Sequence, residues 1–257
     1  MVSDVSKRRN MIRDLAHEKG EVAFAALAAR FGVSAMTVRR DVDALEAEGL
    51  VRKVMGGAIA TGKVAEPSFE SRAAVESAGK QHIGETVAAL LCPKETVILD
   101  SGSTVLAVAR AIRGRGLGLT VLTPSILVAV ELADDPGTTV LLTGGTVRAG
   151  ELSLIGDDAA ATFDRYNCDT FVMGVSGVDT DRGYSDYRSD ESAVKRAAIG
   201  AADRLVVVAD HTKLDRAHLA RIAPFEAADL LVTDADVGAE VVRVGREMGV
   251  HVVLAER

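Results

Sequence analysis

Apolar residues recur at helical spacing in the first part of the chain, where glycines separate them. One helix is predicted over residues 8–19, and an alanine-rich second helix over residues 21–31, which Gly32 ends. Ser34 is a good N-cap for a third helix, because its hydroxyl can accept a hydrogen bond from a free backbone N–H. The buried stripe of this third helix is predicted to be Val38, Val42 and Leu45.

A strand pattern follows the third helix. Residues 50–54 and 56–60 are short apolar runs around Met55 and two glycines, which predicts a two-stranded wing. Residues 61–78 are polar, with one proline and no clear periodicity, and we interpret them as a linker that is helical in part. The first 60 residues therefore have the pattern of three helices and a hairpin.

From about residue 79 onward, short runs of Val, Leu and Ile alternate with helical stretches. Seven strands are predicted over residues 97–99, 119–122, 139–142, 170–175, 205–209, 230–232 and 250–254. Helices are predicted between most of them, over residues 81–91, 104–112, 126–133, 191–202 and 239–248. Because continuous apolar strands alternate with helices, we expect a parallel sheet that helices cover on both faces.

The third helix carries small polar and basic residues on the face opposite its buried stripe. The N-terminal residues of a recognition helix reach base edges in the major groove of DNA, and basic residues on a wing would meet phosphate or the minor groove. The candidate DNA-binding residues are Ser34, Met36, Thr37, Arg39, Arg40, Arg52 and Lys53. In one alternative the face is simply solvated, since four acidic residues follow closely, namely Asp41, Asp43, Glu46 and Glu48. In another, the domain docks a protein.

Ligands of parallel α/β sheets bind at the carboxyl ends of the strands, where loops lead into helices. Several loops at that edge are rich in glycine and hydroxyl residues, whose N–H and O–H groups suit an anion such as phosphate. The candidate effector-binding residues are Asp100, Ser101, Gly102, Ser103, Thr104, Thr123, Ser125, Gly144, Gly145, Arg148, Asp179, Glu191, Lys195, Asp210 and Lys213. His211 in one loop either contacts the ligand or makes an ordinary loop hydrogen bond. For Lys195 the alternative is a surface ion pair with Glu191, one helical turn away.

Composition and charge narrow the function classes. The 257-residue chain has a net charge of −7, yet residues 1–60 carry ten Lys and Arg against eight Asp and Glu. A locally basic end on an acidic body is compatible with one DNA-binding module joined to another domain. Cys92 and Cys168 lie far apart, and we expect both to be buried and inert. None of the five histidines has a second ligand at metal spacing, so we expect no metal site. No apolar run is long enough to span a bilayer, which favours a cytoplasmic protein without a membrane partner.

The segment VSAMTVRRDVDALEAEGLVRKVMGGAI, residues 33–59, resembles the winged helix-turn-helix of the DeoR family of bacterial transcriptional regulators. The loop sequences DSGST, TPS, TGGTVR, ESAVK and ADHTK are similar to those of the family's effector domain, and the resemblance covers roughly residues 6–235. It implies that the larger domain has a fold like that of ribose-phosphate isomerase. It also implies that the protein senses a phosphorylated sugar or a related metabolite.

We therefore expect an α/β protein with a winged helix-turn-helix DNA-binding domain over residues 1–60, a linker over 61–78, and an effector-binding and oligomerisation domain over 79–257. It would be a regulator of carbohydrate metabolism, most simply a repressor, that binds double-stranded operator DNA as a dimer or tetramer. We expect no cofactor and no catalytic residues. The alternative is an isomerase-like enzyme with Asp100, Asp179 or Glu191 as the base and Lys195 as the charge stabiliser, but this would leave the attached winged helix unexplained.

Overall fold

The protein is a chain of two compact units, seen in a computed structural model that describes residues 4–19, 21–47, 50–60 and 66–255. The N-terminal unit ends at Val75 and the C-terminal unit begins at Glu76. The predicted linker over residues 61–78 thus spans this boundary, and its first five residues lie outside the described ranges. Among the described helices, none has both the length and the apolar character needed to cross a bilayer.

The N-terminal unit combines helices with a small antiparallel sheet in the order β1-β3-β2. Its elements are α1 (Asp4–Lys19), β1 (Glu21–Ala23), α2 (Phe24–Phe31), α3 (Ala35–Ala47), β2 (Val51–Val54), β3 (Gly57–Ala60) and α4 (Phe69–Ala74). The predicted third helix and both wing strands are confirmed, and so is the buried stripe of Val38, Val42 and Leu45.

The second predicted helix is wrong at its start. Residues 21–23 form β1, which pairs with β3 so that Val22 lies opposite Ala58, and the helix begins only at Phe24. Val22 and Ala58 are both buried, so the strand gains apolar burial and ladder hydrogen bonds that a longer helix would lose. Strand β1 therefore extends the wing hairpin β2–β3 into a three-stranded sheet with β3 at its centre.

The described part of the predicted linker is ordered against α1. Ser68 caps α4 by accepting a hydrogen bond from the Ser71 N–H at 3.3 Å. The Ser68 N–H itself donates to the Asp14 carboxylate of α1 at 2.9 Å, and Arg72 pairs with Glu66 at 2.8 Å. Residues 66–75 are consequently part of the N-terminal unit, which extends beyond residue 60.

The C-terminal unit is built on a seven-stranded parallel sheet. Its elements are α5 (Ser77–Leu90), β4 (Thr96–Leu99), α6 (Ser103–Ile112), β5 (Thr120–Thr123), α7 (Ile126–Leu132), β6 (Thr139–Leu142), β7 (Thr146–Arg148), β8 (Ser153–Ile155), α8 (Asp157–Phe163), β9 (Cys168–Gly174), β10 (Gly177–Asp179), β11 (Gly183–Asp186), α9 (Ser189–Gly200), β12 (Ala202–Val208), β13 (Ala220–Ala223), β14 (Leu230–Thr233), α10 (Glu240–Met248) and β15 (His251–Leu254). All seven predicted strands belong to this sheet, in the order β15-β14-β12-β9-β4-β5-β6, and each neighbouring pair is parallel.

The strand order reverses direction at β4. The chain runs from β4 outward to β5 and β6 and then returns to β9, which pairs with the other side of β4. The carboxyl ends of β4 and β9 therefore flank a topological switch point, which is where open α/β sheets hold their ligands. The position of a ligand site is thus set by topology before any side chain is considered.

Several short elements were absent from the sequence prediction. They are the hairpin β7–β8, the helix α8, and a second antiparallel sheet in the order β10-β11-β13. All five of these strands have only three or four residues, too few to show a clear alternation. The two cysteines also differ from expectation, because Cys168 is buried whereas Cys92, between α5 and β4, is exposed.

Helices α5 and α6 pack so closely that Gly84 is required between them. A Cβ added to Gly84 would lie 2.6 Å from the Ala107 carbonyl oxygen and 2.8 Å from its carbon. We expect Gly84→Ala to lower the free energy of unfolding of the C-terminal unit by about 1–3 kcal/mol, although alanine favours helix. Urea unfolding measures this. Gly200→Ala in α9 is the matched control, since no described atom lies within 4 Å of a Cβ there. Equal losses in the two variants would contradict this account of the packing.

Candidate functional site

The N-terminal end of α3 is capped as the sequence predicts. The Ser34 hydroxyl oxygen accepts a hydrogen bond from the Thr37 N–H at 3.1 Å, and the two hydroxyl groups lie 3.0 Å apart. Both side chains thus shape the first turn of α3 while remaining at least partly accessible. The cap fixes where the helix begins, and so which residues its first turns present.

Three predicted DNA-binding side chains are exposed on the outer face of this helix. Met36 is 57% exposed, and Arg39 and Arg40 are exposed beside it. The Arg39 guanidinium lies over the Phe24 ring at 5.7 Å, a cation–π contact that orients it. The start of α3 therefore presents one apolar and two cationic side chains outward.

The solvated-face alternative is wrong for Asp41, which is buried rather than exposed to solvent. This residue is 2% exposed, and its carboxylate accepts hydrogen bonds from the Arg8 guanidinium at 2.7 Å and the Arg9 guanidinium at 3.1 Å. Both arginines lie on α1, so Asp41 anchors α3 to α1 from its buried side. Its place in the sequence among other acidic residues gave no sign of this.

The wing is tied to α3 by a second set of contacts. The Lys53 ammonium pairs with Asp43, and the Lys53 N–H donates to the Glu46 carboxylate at 2.7 Å. Arg52, the other predicted wing residue, is exposed. The ion pair is exposed and contributes little stability, but together with the hydrogen bond it holds the wing beside α3.

A buried ion cluster occupies the switch point of the parallel sheet. The Lys195 ammonium, on α9, lies 3.0 Å from Asp100 after β4, 2.7 Å from Asp186 of β11, and 2.6 Å from the Gly174 carbonyl at the end of β9. The Gly174 N–H also donates to Asp100 at 3.1 Å. Lys195 is only 6% exposed, so the alternative that it forms a surface ion pair with Glu191 is wrong. Sequence reasoning found Asp100 and Lys195 but missed Asp186.

Burial and charge together change the pKa values of Asp100 and Lys195. Burial raises the pKa of Asp100 to about 6, although the nearby Lys195 opposes this rise. Burial alone would lower the pKa of Lys195, but Asp100, Asp186 and Glu191 outweigh it and raise that pKa above its usual value. Lys195 therefore stays charged at neutral pH, while Asp100 takes up a proton at a higher pH than an exposed aspartate does.

The loop after β4 offers an open helix N-terminus beside this cluster. Gly102 precedes α6 with φ of 104°, and no side chain caps the first turn. Ser101 and Ser103 are partly exposed there, while Thr104 is buried. Backbone N–H groups and hydroxyls at an uncapped helix start are suited to an anion.

The loop after β5 is built differently. Thr123 and Ser125 are buried, and the Ser125 hydroxyl oxygen already caps α7 by accepting from the Val128 N–H at 3.3 Å. The Thr123 hydroxyl oxygen in turn accepts from the Ser125 N–H at 3.0 Å. The polar groups of this loop thus shape the turn itself and cap α7, whereas α6 begins without a side-chain cap.

Glu191 joins the hairpin β7–β8 to α9. Its carboxylate accepts hydrogen bonds from the Ser153 hydroxyl at 2.8 Å and pairs with Arg148 at 2.7 Å. Ser153 was not predicted, because the hairpin that carries it was not recognised. Between this hairpin and the ion cluster lies a cavity of about 10 Å³, room for roughly one water molecule. Its lining residues are Asp100, Ser101, Pro124, Ser153, Leu154, Glu191, Val194 and Lys195.

Three further predicted effector residues, Asp179, Gly144 and Gly145, are not among the residues that line this cavity. The Asp179 carboxylate accepts from the N–H groups of Asp181 and Arg182 at 3.0 and 2.8 Å, so it shapes the turn between β10 and β11. Gly144 and Gly145 are exposed ahead of β7.

Asp210 forms a second buried ion pair, separate from the switch point. It follows β12, two strands from β4 and therefore about 10 Å across the sheet. Its carboxylate lies 3.0 Å from the ammonium of Lys80, a partner that sequence reasoning missed. Burial would raise the pKa of Asp210, but Lys80 and Lys213 outweigh it and lower that pKa. The candidate effector residues thus divide into a central group around Lys195 and a lateral group around Asp210.

Comparison with known proteins supplies the family context. Residues 8–64 match the family model described as the DeoR-like helix-turn-helix domain, and residues 75–235 match the DeoR C terminal sensor domain. The chain is 32% identical over 251 residues to the HTH-type transcriptional regulator GolR of Listeria innocua, covering 97% of this chain and 98% of that protein. It is 28% identical over 239 residues to the glycerol-3-phosphate regulon repressor of Escherichia coli strain K12, covering 93% and 94%.

Among solved structures, the chain is similar to ribose 5-phosphate isomerase A from Methanocaldococcus jannaschii. The TM-score is 0.40 at 14% identity, and the match covers 52% of this chain and 53% of that one. A likeness at this level carries no argument about activity.

The raised pKa of Asp100 predicts a specific pH dependence of stability. The folded state holds the proton of this group more tightly than the unfolded chain, since its pKa rises from 3.8 to about 6. The resulting stabilisation is fully present below about pH 3.8 and is lost as pH rises through 6. Asp100→Asn removes this titration, so the unfolding free energy of the wild type should fall relative to that of the variant between pH 4 and pH 7. Urea unfolding across this range tests it, and parallel pH profiles would refute it.

Proposed function

The chain belongs to the DeoR family of transcriptional regulators, and from this premise we propose that it is a repressor of a carbohydrate operon. It binds operator DNA through the winged helix, and a phosphorylated sugar in the C-terminal unit changes its affinity for that DNA. The observation that carries the proposal is the exposed start of α3, with Met36, Arg39 and Arg40 outward on a helix that Asp41 anchors from behind.

In this proposal α3 enters the major groove. Arg40 reads a base edge, with Arg39 and Met36 beside it, while Ser34 and Thr37 contact the backbone near the helix start. Arg52 and Lys53 on the wing contact phosphate. Asp43 pairs with Lys53 in the structure, so DNA binding would exchange that exposed, weak pair for a phosphate contact.

The proposed effector site is the cavity at the switch point. The phosphate would lie at the uncapped start of α6, near Ser101 to Thr104, and sugar hydroxyl groups would face Asp100 and Glu191. Arg148, which pairs with Glu191, would supply a further cation. Support for the ligand class comes from the glycerol-3-phosphate regulon repressor, a relative named for a regulon of a phosphorylated polyol.

The size of the cavity supplies a coupling mechanism. A space of about 10 Å³ is far too small for a sugar phosphate, so in this proposal the β7–β8 hairpin and α9 separate where Arg148 meets Glu191 when the ligand binds. The ligand then favours the opened form, and a difference in affinity between two forms is what allosteric regulation requires.

The remaining parts of the proposal follow from the mode of DNA binding. A palindromic operator calls for a homo-oligomer, a dimer or a tetramer, and the protein acts in the cytoplasm, where the chromosome lies. The C-terminal unit senses its ligand without converting it, and the family models and the names of the relatives describe regulators.

Arg40→Ala should weaken binding to the operator by about tenfold or more, because one bidentate base contact contributes about 1–3 kcal/mol of discrimination. Binding to unrelated DNA should change much less. Fluorescence anisotropy with labelled DNA from upstream of the gene, over a salt series, measures both affinities. The matched control is Arg243→Ala, which removes one exposed arginine from α10 of the C-terminal unit. Unchanged operator selectivity in the Arg40 variant would contradict the assignment of α3.

Ser101→Asp tests the effector site. A carboxylate at the start of α6 repels a phosphate but suits the helix dipole, so the fold should persist. With a panel of sugar phosphates, the wild-type operator complex should respond to one compound, and the variant should bind the operator normally but need at least about tenfold more of that compound. Ala239→Asp adds the same charge before α10 as a control. A variant that responds like the wild type would place the phosphate elsewhere.

A further inference from the structure

Three side chains of the kinds that bind metal ions meet beside the lateral ion pair of the C-terminal unit. His211 comes from the short turn after β12, Asp234 directly follows β14, and Glu76 directly precedes α5. One ligand atom from each of the three lies within 4.8 Å of the other two. The sequence analysis expects no metal site, because these three residues lie far apart along the chain and show no metal-binding spacing.

The packing around Asp234 holds the group together. The His211 N–H donates to Asp234 Oδ1 at 2.7 Å, and His211 Nδ1 lies 3.1 Å from Asp234 Oδ2. A Cβ on Gly79 would lie 2.1 Å from Asp234 Oδ2, so the first turn of α5 presses directly against this carboxylate. Glu76 is thereby held beside the imidazole and the buried carboxylate.

We propose that Glu76, His211 and Asp234 bind a divalent first-row transition-metal ion such as Mn²⁺ or Zn²⁺. One imidazole nitrogen with two carboxylates is a donor set that suits these ions, whereas Mg²⁺ and Ca²⁺ prefer oxygen ligands alone. Asp234 is buried and held in place by its neighbours. Glu76 is exposed, and rotation of its side chain would bring its carboxylate to the metal ion as the third ligand. The exposed part of His211 leaves an entry path and room for water ligands.

The charges around the group favour a dication. Glu76 and Asp234 bring two negative charges, and the neighbouring Lys80 ammonium is already matched by the Asp210 carboxylate. Lys213, another cation, also acts on Asp210. A metal ion would therefore enter a region of net negative charge and would fix the start of α5.

The test uses the full-length protein after treatment with a chelator and removal of any histidine tag. Mn²⁺ is titrated and followed by the loss of the electron paramagnetic resonance signal of the free ion. We expect one Mn²⁺ per chain, and Zn²⁺ should displace it at lower concentration, following the usual order of affinities. Mn²⁺ is the first probe because thiolates bind it poorly, so the exposed Cys92 does not compete.

Two variants of exposed or half-exposed ligands test the assignment without disturbing the core. Glu76→Gln and His211→Ala should each weaken Mn²⁺ binding by about tenfold or more. The matched controls are Glu240→Gln and His251→Ala, which change exposed residues elsewhere in the same unit and should bind Mn²⁺ like the wild type. Thermal unfolding without metal confirms that all four variants are folded.

Several outcomes would overturn the proposal. Failure of the wild type to bind either ion at concentrations up to about 1 mM would mean that His211 and Asp234 form only a hydrogen bond. Equal affinity in all four variants would place bound metal elsewhere. Neither result would affect the proposed binding of DNA or of a phosphorylated sugar, since those rest on other residues.

Discussion

The C-terminal unit depends on one buried cation. Lys195 is the point at which α9, β4, β9 and β11 meet, through its contacts with Asp100, Asp186 and the Gly174 carbonyl. Removing one partner from such a buried pair typically costs about 3–5 kcal/mol, because the remaining charges lose their compensation. Lys195 therefore fixes the position of α9 relative to β4, β9 and β11. Asp100 and Lys195 also line one side of the cavity at the switch point.

The N-terminal unit orients its functional helix in a related way. There a buried carboxylate, Asp41, receives two guanidinium groups from α1, so α3 is held from behind by directed contacts as well as by its apolar stripe. Apolar packing alone permits a helix to slide or rotate slightly, whereas charge-assisted hydrogen bonds fix both its rotation and its position. In each unit a buried charged residue, Asp41 or Lys195, thus positions the elements that carry the candidate functional residues.

The sequence predicted the parts of the fold that have strong local patterns. The seven strands were visible because their apolar runs are continuous, and Ser34 was visible as a cap because its neighbours begin a helix. Strand β1 was mistaken for helix, since its three residues gain their conformation from pairing with β3. Of the central cluster, Asp100 and Lys195 were predicted from their loops, but Asp186 and Ser153 lie on short strands whose positions only the tertiary fold determines. The hydrogen bonds that the Asp179 carboxylate accepts within its own turn could not be predicted from the sequence, because they depend on the geometry of that turn.

The strand order also bears on how the chain folds as it is synthesised. Asp100 and Gly174, which hydrogen-bond across the centre of the sheet, are 74 residues apart, and the Glu95–Arg204 pair spans 109 residues. In the N-terminal unit, the contact from Arg8 to Asp41 spans 33 residues and the contact from Asp14 to Ser68 spans 54. Closing long loops slows folding, so a growing chain completes its N-terminal unit while the middle of the sheet still awaits its partner strand. The protein therefore acquires its helix-turn-helix early in translation, well before the unit that would regulate it can form.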